Sequence, residues 1–355
     1  MIRVFVSAYV WMTGFGNFLY FDKKQDFSLT RAVSMWLRIN YFPILLSVFI
    51  GVEFDLFYIV PLHTTAFFIT MCTCYLAKCL GAWFDFPHAK RNLIAIGTCL
   101  AVHIVFYETP LVLLLNRLFG HEIYFRFMSD KYSAALGILS GYGWAYFKKY
   151  MQWCHIPANE DGTYTQEQKN AAWVQRLGGV LLIFLWYYFV GYMPDKLSYN
   201  PIHPFVFWIP IAGWLMVRNS SKYLTEVHST ALEFFGKITL ETYVLQFHVF
   251  MNQNVQHIPV VVPGAGADGP LFLKTLNMLL TGTGFVALAY WARKITVTTQ
   301  MTMTELAVLI QGGAPPSEAT AAPDVEKAPL KEDTGESDAK LEMKSAPVSN
   351  GSASK

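Results

Sequence analysis

In the last third of the chain, Gly236-Lys237-Ile238-Thr239-Leu240-Glu241-Thr242-Tyr243 runs on through Gln246-Phe247-His248 inside an apolar stretch. Glu241, Leu245 and His248 recur at i, i+4 and i+7 and share one helical face. A carboxylate and an imidazole so placed are the parts of an acid–base pair, histidine being the side chain suited to proton transfer near neutral pH. The same spacing also serves a hydrogen-bonded packing pair between helices. Glu122, Arg126 and Asp130 recur at i, i+4 and i+8 and lay alternating charges along one face. A solvated interfacial helix with ordinary ion pairs gives the same pattern. His63, in Pro61-Leu62-His63-Thr64, and Arg38 with Asn40 stand inside two further apolar runs. His63 there either bonds to a neighbouring helix or lines a polar cavity. Arg38 lies a turn or two inside its run, where it snorkels to the interface or meets a partner. Ionisable groups at such depth are costly, which makes each a candidate for function.

The elements that position these residues are membrane-crossing helices. The 355 residues are 54% hydrophobic and only 15% charged, less charge than a soluble domain keeps on its surface. Aromatics reach 16%, which suits a protein with two membrane–water interfaces. A span of the hydrocarbon core takes about 20 mostly apolar residues. Such runs cover roughly residues 2–21, 31–51, 56–80, 92–115, 132–150, 174–193, 201–217, 231–251 and 271–293. The fold class expected is all-α: a polytopic membrane helical bundle of about nine, nine to ten, transmembrane helices. Residues 296–311 are a weak tenth candidate and read better as an amphipathic stretch on the membrane surface. The membrane domain is expected over 1–311. From Gly312 to Lys355 the composition turns to Ala, Pro, Ser, Glu and Lys, with eight acids and five lysines, and reads as a disordered tail.

Basic residues favour alternate linkers. Lys23, Lys24 and Arg31 follow the first run, Lys78, Lys90 and Arg91 the third, and Lys148, Lys149, Lys169 and Arg176 the fifth. Arg218 and Lys222 follow the seventh run, and Arg293 and Lys294 the ninth. The other linkers are poorer: Arg117, Arg126 and Lys131 in the fourth, Lys196 in the sixth, none in the second, and none in the eighth before Lys274. The bias places the basic set and the tail in the cytosol and the N-terminus on the opposite, lumenal side. The sequons at Asn219 and Asn350 then face the cytosol and stay unglycosylated. The chain opens directly on an apolar run without a cleavable signal pattern, an abrupt start that suggests a segment upstream.

Other chemistries find no support. A net charge of +2 does not point to nucleic acid. P-loop, H-E-x-x-H and G-x-S-x-G patterns are absent, and no G-x-G-x-x-G is read as opening a helix. Cys72, Cys74, Cys79, Cys99 and Cys154 form no usable framework and read as small packing residues, and no metal is expected. His155 and the His203-Pro204 pair sit in linkers, and His103 stands alone in an apolar run as a packed histidine.

The polar strings resemble the capsule-O-acetylation family of ten-transmembrane acyltransferases. That family includes the animal sialate O-acetyltransferase, fungal capsule proteins and plant reduced-wall-acetylation proteins. The carrying segments are Ala8-Tyr9-Val10-Trp11-Met12-Thr13-Gly14-Phe15-Gly16-Asn17-Phe18, Asp26-Phe27-Ser28-Leu29, Arg38-Ile39-Asn40 and Pro61-Leu62-His63-Thr64. Phe125-Arg126, Asp130-Lys131-Tyr132, His203-Pro204, Arg218-Asn219 and the Gly236 to His248 string complete the series. The resemblance is closest to the plant and fungal branch: Asn17 stands where the animal form has His, and the animal form lacks a counterpart of His63. That favours a polysaccharide over sialic acid as acceptor.

The resemblance implies transfer of acetyl from cytosolic acetyl-CoA to sugar hydroxyls in the Golgi lumen. Some members carry a lumenal serine-esterase-like domain ahead of these helices; this chain does not, so it resembles either a truncated form or a stand-alone membrane half. The partners implied are a polysaccharide or glycan acceptor, the lipid bilayer and a separate lumenal transferase. His248 is expected as base or transient acetyl carrier with Glu241 orienting it, and Arg126 and Asp130 are expected to meet them on the lumenal side. Glu122, His63, Arg38, Asn40 and Gln246 are expected substrate contacts. A rival reading makes the chain a conduit that passes acetyl-CoA or acetyl to a lumenal enzyme, and a third makes it a non-catalytic scaffold.

Overall fold

The computed structural model describes residues 2–84, 88–159, 161–251 and 257–310. The tail expected from Gly312, with its Asn350 sequon, lies outside the described residues, as do the side chains of Lys90 and Arg91. The described residues form helices without a β-strand. In order these are α1 (Ile2–Lys24), α2 (Leu29–Ile50), α3 (Ile59–Phe84), α4 (His88–Tyr107), α5 (Leu111–Phe119), α6 (His121–Ser129), α7 (Ser133–His155) and α8 (Gln166–Gly191). There follow α9 (Lys196–Tyr199), α10 (His203–Val206), α11 (Trp208–Arg218), α12 (Lys222–Glu226), α13 (Thr230–Lys237), α14 (Thr239–Leu245) and α15 (Leu271–Ile310). A 3-10 turn, Phe54–Phe57, precedes α3, and a π turn, Gln246–Phe250, continues α14. By contact the chain divides into residues 1–304 and 305–355, and of the second unit only 305–310 are described.

Among the described residues, five helical spans are long and apolar enough to cross a bilayer: Arg3–Lys24, Leu29–Ile50, Ile59–Trp83, Gln166–Gly191 and Leu271–Ile310. Leu93–Tyr107 is a shorter apolar helix, and α7 fills the fifth expected run with 23 residues. The remaining expected runs are built from broken pieces. The fourth stops at Tyr107 and restarts at Leu111, beyond Pro110, which disfavours a helical residue before it. The seventh becomes α10 and α11, and the eighth becomes α13, α14 and the π turn. Residues 296–311, expected as a separate surface stretch, instead continue α15 without a break to Ile310. No Gly or Pro interrupts the chain from Phe285 to Ile310, so nothing ends the helix. At 40 residues it is about 60 Å long, twice the hydrocarbon thickness.

Local signals set several ends. Ser28 accepts from the Arg31 amide to start α2, and Gly51, at φ 72°, closes it. Thr165 and Gln168 form a reciprocal capping box at the start of α8. Tertiary contact then rests on close backbone approach. A Cβ on Gly137 of α7 would lie 2.2 Å from the Trp11 carbonyl oxygen of α1. One on Gly141 would lie 2.1 Å from the Phe18 ring, and one on Gly14 would lie 2.4 Å from the Ala134 carbonyl. Only glycines let α1 and α7 touch in this way, the packing device of helices that have no water to drive them together.

Apolar clusters fill the spaces around α1. Val10, Leu62, Ala66, Tyr107, Ile123 and Phe127 form one, and Phe18, Phe21, Phe67 and Ile138 another. Ile39, Phe57, Val60, Leu240 and Val244 join α2, α3 and α14. Val174, Leu177, Leu181 and Phe184 on α8 are exposed, as lipid-facing side chains are.

Candidate active site

α2 carries Arg38 and α14 carries Glu241 into the same buried space. Arg38 Nη1 donates to Glu241 Oε1 at 2.6 Å, and the Glu241 side chain is only 1% exposed. Arg38 therefore has a partner at depth and does not need to snorkel. α1 presents Tyr9, Thr13 and Asn17 at i, i+4 and i+8, one face of a helix. Tyr9 lies in the electrostatic field of Arg38, Glu241 and Arg293 of α15. Its ring meets His63 of α3 at 4.1 Å between centroids. His63 Nδ1 and the Thr13 hydroxyl share a hydrogen bond of 2.6 Å. Asn40 donates to Thr64 Oγ1 at 2.8 Å and to the Trp36 carbonyl at 3.0 Å, tying α2 to α3 beside His63. Arg293 also donates to the Lys237 carbonyl.

Three polar atoms of this region are buried without a hydrogen-bond partner: Glu241 Oε2, His63 Nε2 and His248 Nε2. Such atoms are uncommon in folded proteins, since each forgoes the hydration it had before folding. Here they cluster on elements packed around Phe57, whose ring lies 5.6 Å from that of His248.

The expected pairing of Glu241 with His248 is corrected by the geometry. Glu241 bonds to Arg38, and the chain after Leu245 takes up π geometry, with the Met251 amide donating to the Gln246 carbonyl at 2.7 Å. A wider turn rotates later side chains off the face that i, i+4, i+7 counting assumes. Gln246 opens that turn.

The second expected cluster separates into two parts. Arg126 pairs with Glu122 at 2.6 Å on the surface and lies over the Tyr58 ring at 4.4 Å. Asp130 is the C-cap of α6, at φ −115°, so it leaves the helix and the alternating face ends at Arg126. Its carboxylate is buried and bonded to the Ser7 hydroxyl of α1. Ser7 Oγ also lies 2.7 Å from His203 Nε2, and His203 Nδ1 lies 2.9 Å from the Tyr199 hydroxyl. Arg3 donates to Ser129 Oγ at 2.9 Å and Asn200 Oδ1 at 2.7 Å in the same place. His203, read from sequence as an ordinary linker residue, is fully buried.

Among the described residues, aromatic rings link the two clusters. The Tyr58 ring under Arg126 lies 5.9 Å from that of Tyr243 on α14, two residues beyond Glu241. Among the described residues no three His, Cys, Asp or Glu side chains converge as a metal site would require.

A carboxylate with an open oxygen, two imidazoles with open nitrogens and a half-buried guanidinium, held among apolar helices, are groups that accept protons and stabilise developing negative charge. The sequence matches, over residues 1–309, the family described as the 10 TM acyl transferase domain found in Cas1p. The chain belongs to that family and is an integral membrane acyltransferase domain. It is 24% identical over 316 residues to the N-acetylneuraminate (7)9-O-acetyltransferase of Danio rerio. The match covers 83% of this chain and 38% of that relative, so the chain spans well under half the length of the curated relative. No solved structure matches.

Proposed function

We propose that the chain is a membrane O-acetyltransferase that moves acetyl from cytosolic acetyl-CoA to hydroxyls of a cell-wall, capsule or glycan polysaccharide in the Golgi lumen. The relative's name supports acetyl as the group and a sugar as the acceptor class. The observation that carries the reading is the set of open buried atoms, Glu241 Oε2, His63 Nε2 and His248 Nε2, beside the Arg38–Glu241 pair.

Transfer from a thioester to a hydroxyl needs a base for the hydroxyl proton and positive charge for the carbonyl oxygen. In this reading an imidazole Nε2 of His248 or His63 takes the proton, and the thiolate leaving group receives it. Arg38 supplies the charge, and Glu241 fixes Arg38 while its second oxygen receives a donor from substrate. Asn40 and Thr64 hold α2 and α3 at the separation this requires. Arg126 and Glu122, on the surface, serve acceptor binding, and Gln246 aims the π turn that carries His248. The charge bias of the linkers supports a lumenal N-terminus and a cytosolic tail.

The test is His248→Ala and Glu241→Gln in cells, with protein abundance measured alongside polysaccharide acetylation. Loss of a positioned base lowers the rate by about 10²–10⁴-fold. Normal acetylation at normal abundance in both variants refutes the assignment. In liposomes, movement of acetyl-CoA without transfer to an acceptor replaces the enzyme by a conduit that feeds a separate lumenal transferase.

A further inference from the structure

The Ser7 cluster has a composition and order that packing does not demand. Ser7, Asp130 and His203 come from α1, the α6–α7 junction and α10, and are 0%, 3% and 0% exposed. Ser7 Oγ and His203 Nε2 stand at 2.7 Å, the separation of a nucleophile and its base. The far nitrogen of His203 is held by Tyr199 OH at 2.9 Å, so the ring has a fixed orientation. One helical turn before Ser7 on α1, Arg3 bonds through Nη1 to Ser129 and Asn200, while its Nη2 is buried with no partner. Ser133 Oγ, three residues after Asp130, is buried and open as well. A nucleophile, an oriented base and an unused buried donor together make the parts list of an acyl-transfer centre.

We propose that Ser7 is an acetyl-accepting nucleophile, a relay station on the N-terminal side of α1. This rests on the acyltransferase reading above and puts two displacements through Ser7 in place of the direct transfer written there. In the first step Ser7 Oγ attacks the acetyl carbonyl carbon of a thioester. The Oγ–C bond forms, the C–S bond breaks, and the Ser7 proton passes to His203 Nε2 and then to the departing thiolate. Arg3 Nη2 faces the oxygen that gains charge. In the second step a sugar hydroxyl attacks the serine ester. Its proton goes to His203 Nε2 and returns to Ser7 Oγ as the C–Oγ bond breaks. At rest Asp130 accepts the one proton of the Ser7 hydroxyl; for the attack that proton turns to the unprotonated His203 Nε2, and the carboxylate left behind neutralises the imidazolium at 3.7 Å. Tyr199 is a positioning residue.

The experiment uses the full chain in detergent micelles with acetyl-labelled acetyl-CoA, trapped in acid within the first turnover and mapped by peptide mass. Thiol release is followed in parallel. The expected result is one acetyl on Ser7 in the wild-type chain and none in Ser7→Ala. Thiol release in Ser7→Ala falls on the order of 10³-fold. Ser7→Cys, which keeps a nucleophile of similar size, carries a label that neutral hydroxylamine removes, whereas the serine ester resists it. This variant and the wild-type map decide the matter even if Ser7→Ala fails to fold. A wild-type chain that turns over with no acetyl trapped on Ser7, or a folded Ser7→Ala chain that releases thiol at the wild-type rate, overturns the relay and leaves the acetyltransferase reading standing. A wild-type chain that releases no thiol from acetyl-CoA overturns both.

Discussion

The two buried polar clusters that share α1 treat charge in opposite ways. Around Arg38 and Glu241 an ion pair is held with its carboxylate buried and its guanidinium half-buried, and the atoms left over, one carboxylate oxygen and two imidazole nitrogens, have no hydrogen-bond partner. Around Ser7 the groups close on one another in a line, Asp130 to Ser7 to His203 to Tyr199, with the spare capacity at the margins on Arg3 and Ser133. The first arrangement keeps room for something to bind; the second keeps protons in order. A membrane domain that must both receive a polar group and move it without water has use for each. Charge marks the first cluster in sequence through Arg38 and Glu241, and marks the second only through Asp130.

The largest effect that separates them is expected from Arg38→Met. It strands Glu241 as an uncompensated buried charge, at a cost of about 3–5 kcal/mol. Thermal unfolding in micelles checks the loss. The double variant Arg38→Met with Glu241→Leu is expected to recover most of that stability while staying inactive, because an apolar pair packs where the ion pair stood. Recovery of activity in the double variant sinks the role of the pair. Gly137→Ala comes next. Its new Cβ meets the Trp11 carbonyl oxygen and forces α1 away from α7, costing about 1–3 kcal/mol. Because α1 carries Ser7 and Tyr9 alike, it is expected to weaken both clusters together, where Arg38→Met weakens one. Acetylation and unfolding measured on the same preparation distinguish the two patterns.

The smallest effect touches the Ser7 side alone. Asp195 caps α9, the helix that delivers Tyr199 and leads into Asn200, by accepting from the Ser198 amide at 2.7 Å. That backbone hydrogen bond holds the Asp195 carboxyl below its ordinary value of 3.8. A carboxyl with a depressed folded value stabilises fully above its unfolded value and ceases to do so as pH falls through the folded one. Protection of the Ser198 amide from hydrogen exchange is therefore expected to fall below about pH 4, the ordinary carboxylate value. In Asp195→Asn, whose cap does not titrate, it stays level. Equal acid sensitivity in both chains removes the cap from the account of this side.

Sequence gave direct access to whatever is costly in lipid. Glu241, Arg38, His63 and Asp130 stood out because a charged or imidazole group at membrane depth demands a reason, and all four are buried or paired in the fold. Their partners were hidden by distance along the chain. Arg38 and Glu241 are 203 residues apart, and no periodicity within one helix reports such a contact. Counting along the helix failed where the helix itself changes, at the π turn that carries His248 and at the end of α6 before Asp130. Ser7 gave no signal because a hydroxyl in an apolar helix bonds its own backbone at little cost, as it does here to the Arg3 carbonyl at 3.2 Å. His203 stood out only with Pro204 as part of a resemblance, because at the start of the seventh run nothing in the spacing reports its burial or its contact with Ser7. The membrane class was legible throughout; the breaks in the fourth, seventh and eighth runs were not, since hydropathy averages over a window wider than the break.

The glycine seam between α1 and α7 limits the kinematics of the domain. Sliding or rolling α1 against α7 drives carbonyl oxygens into backbone, so the pair behaves as one stiff strut.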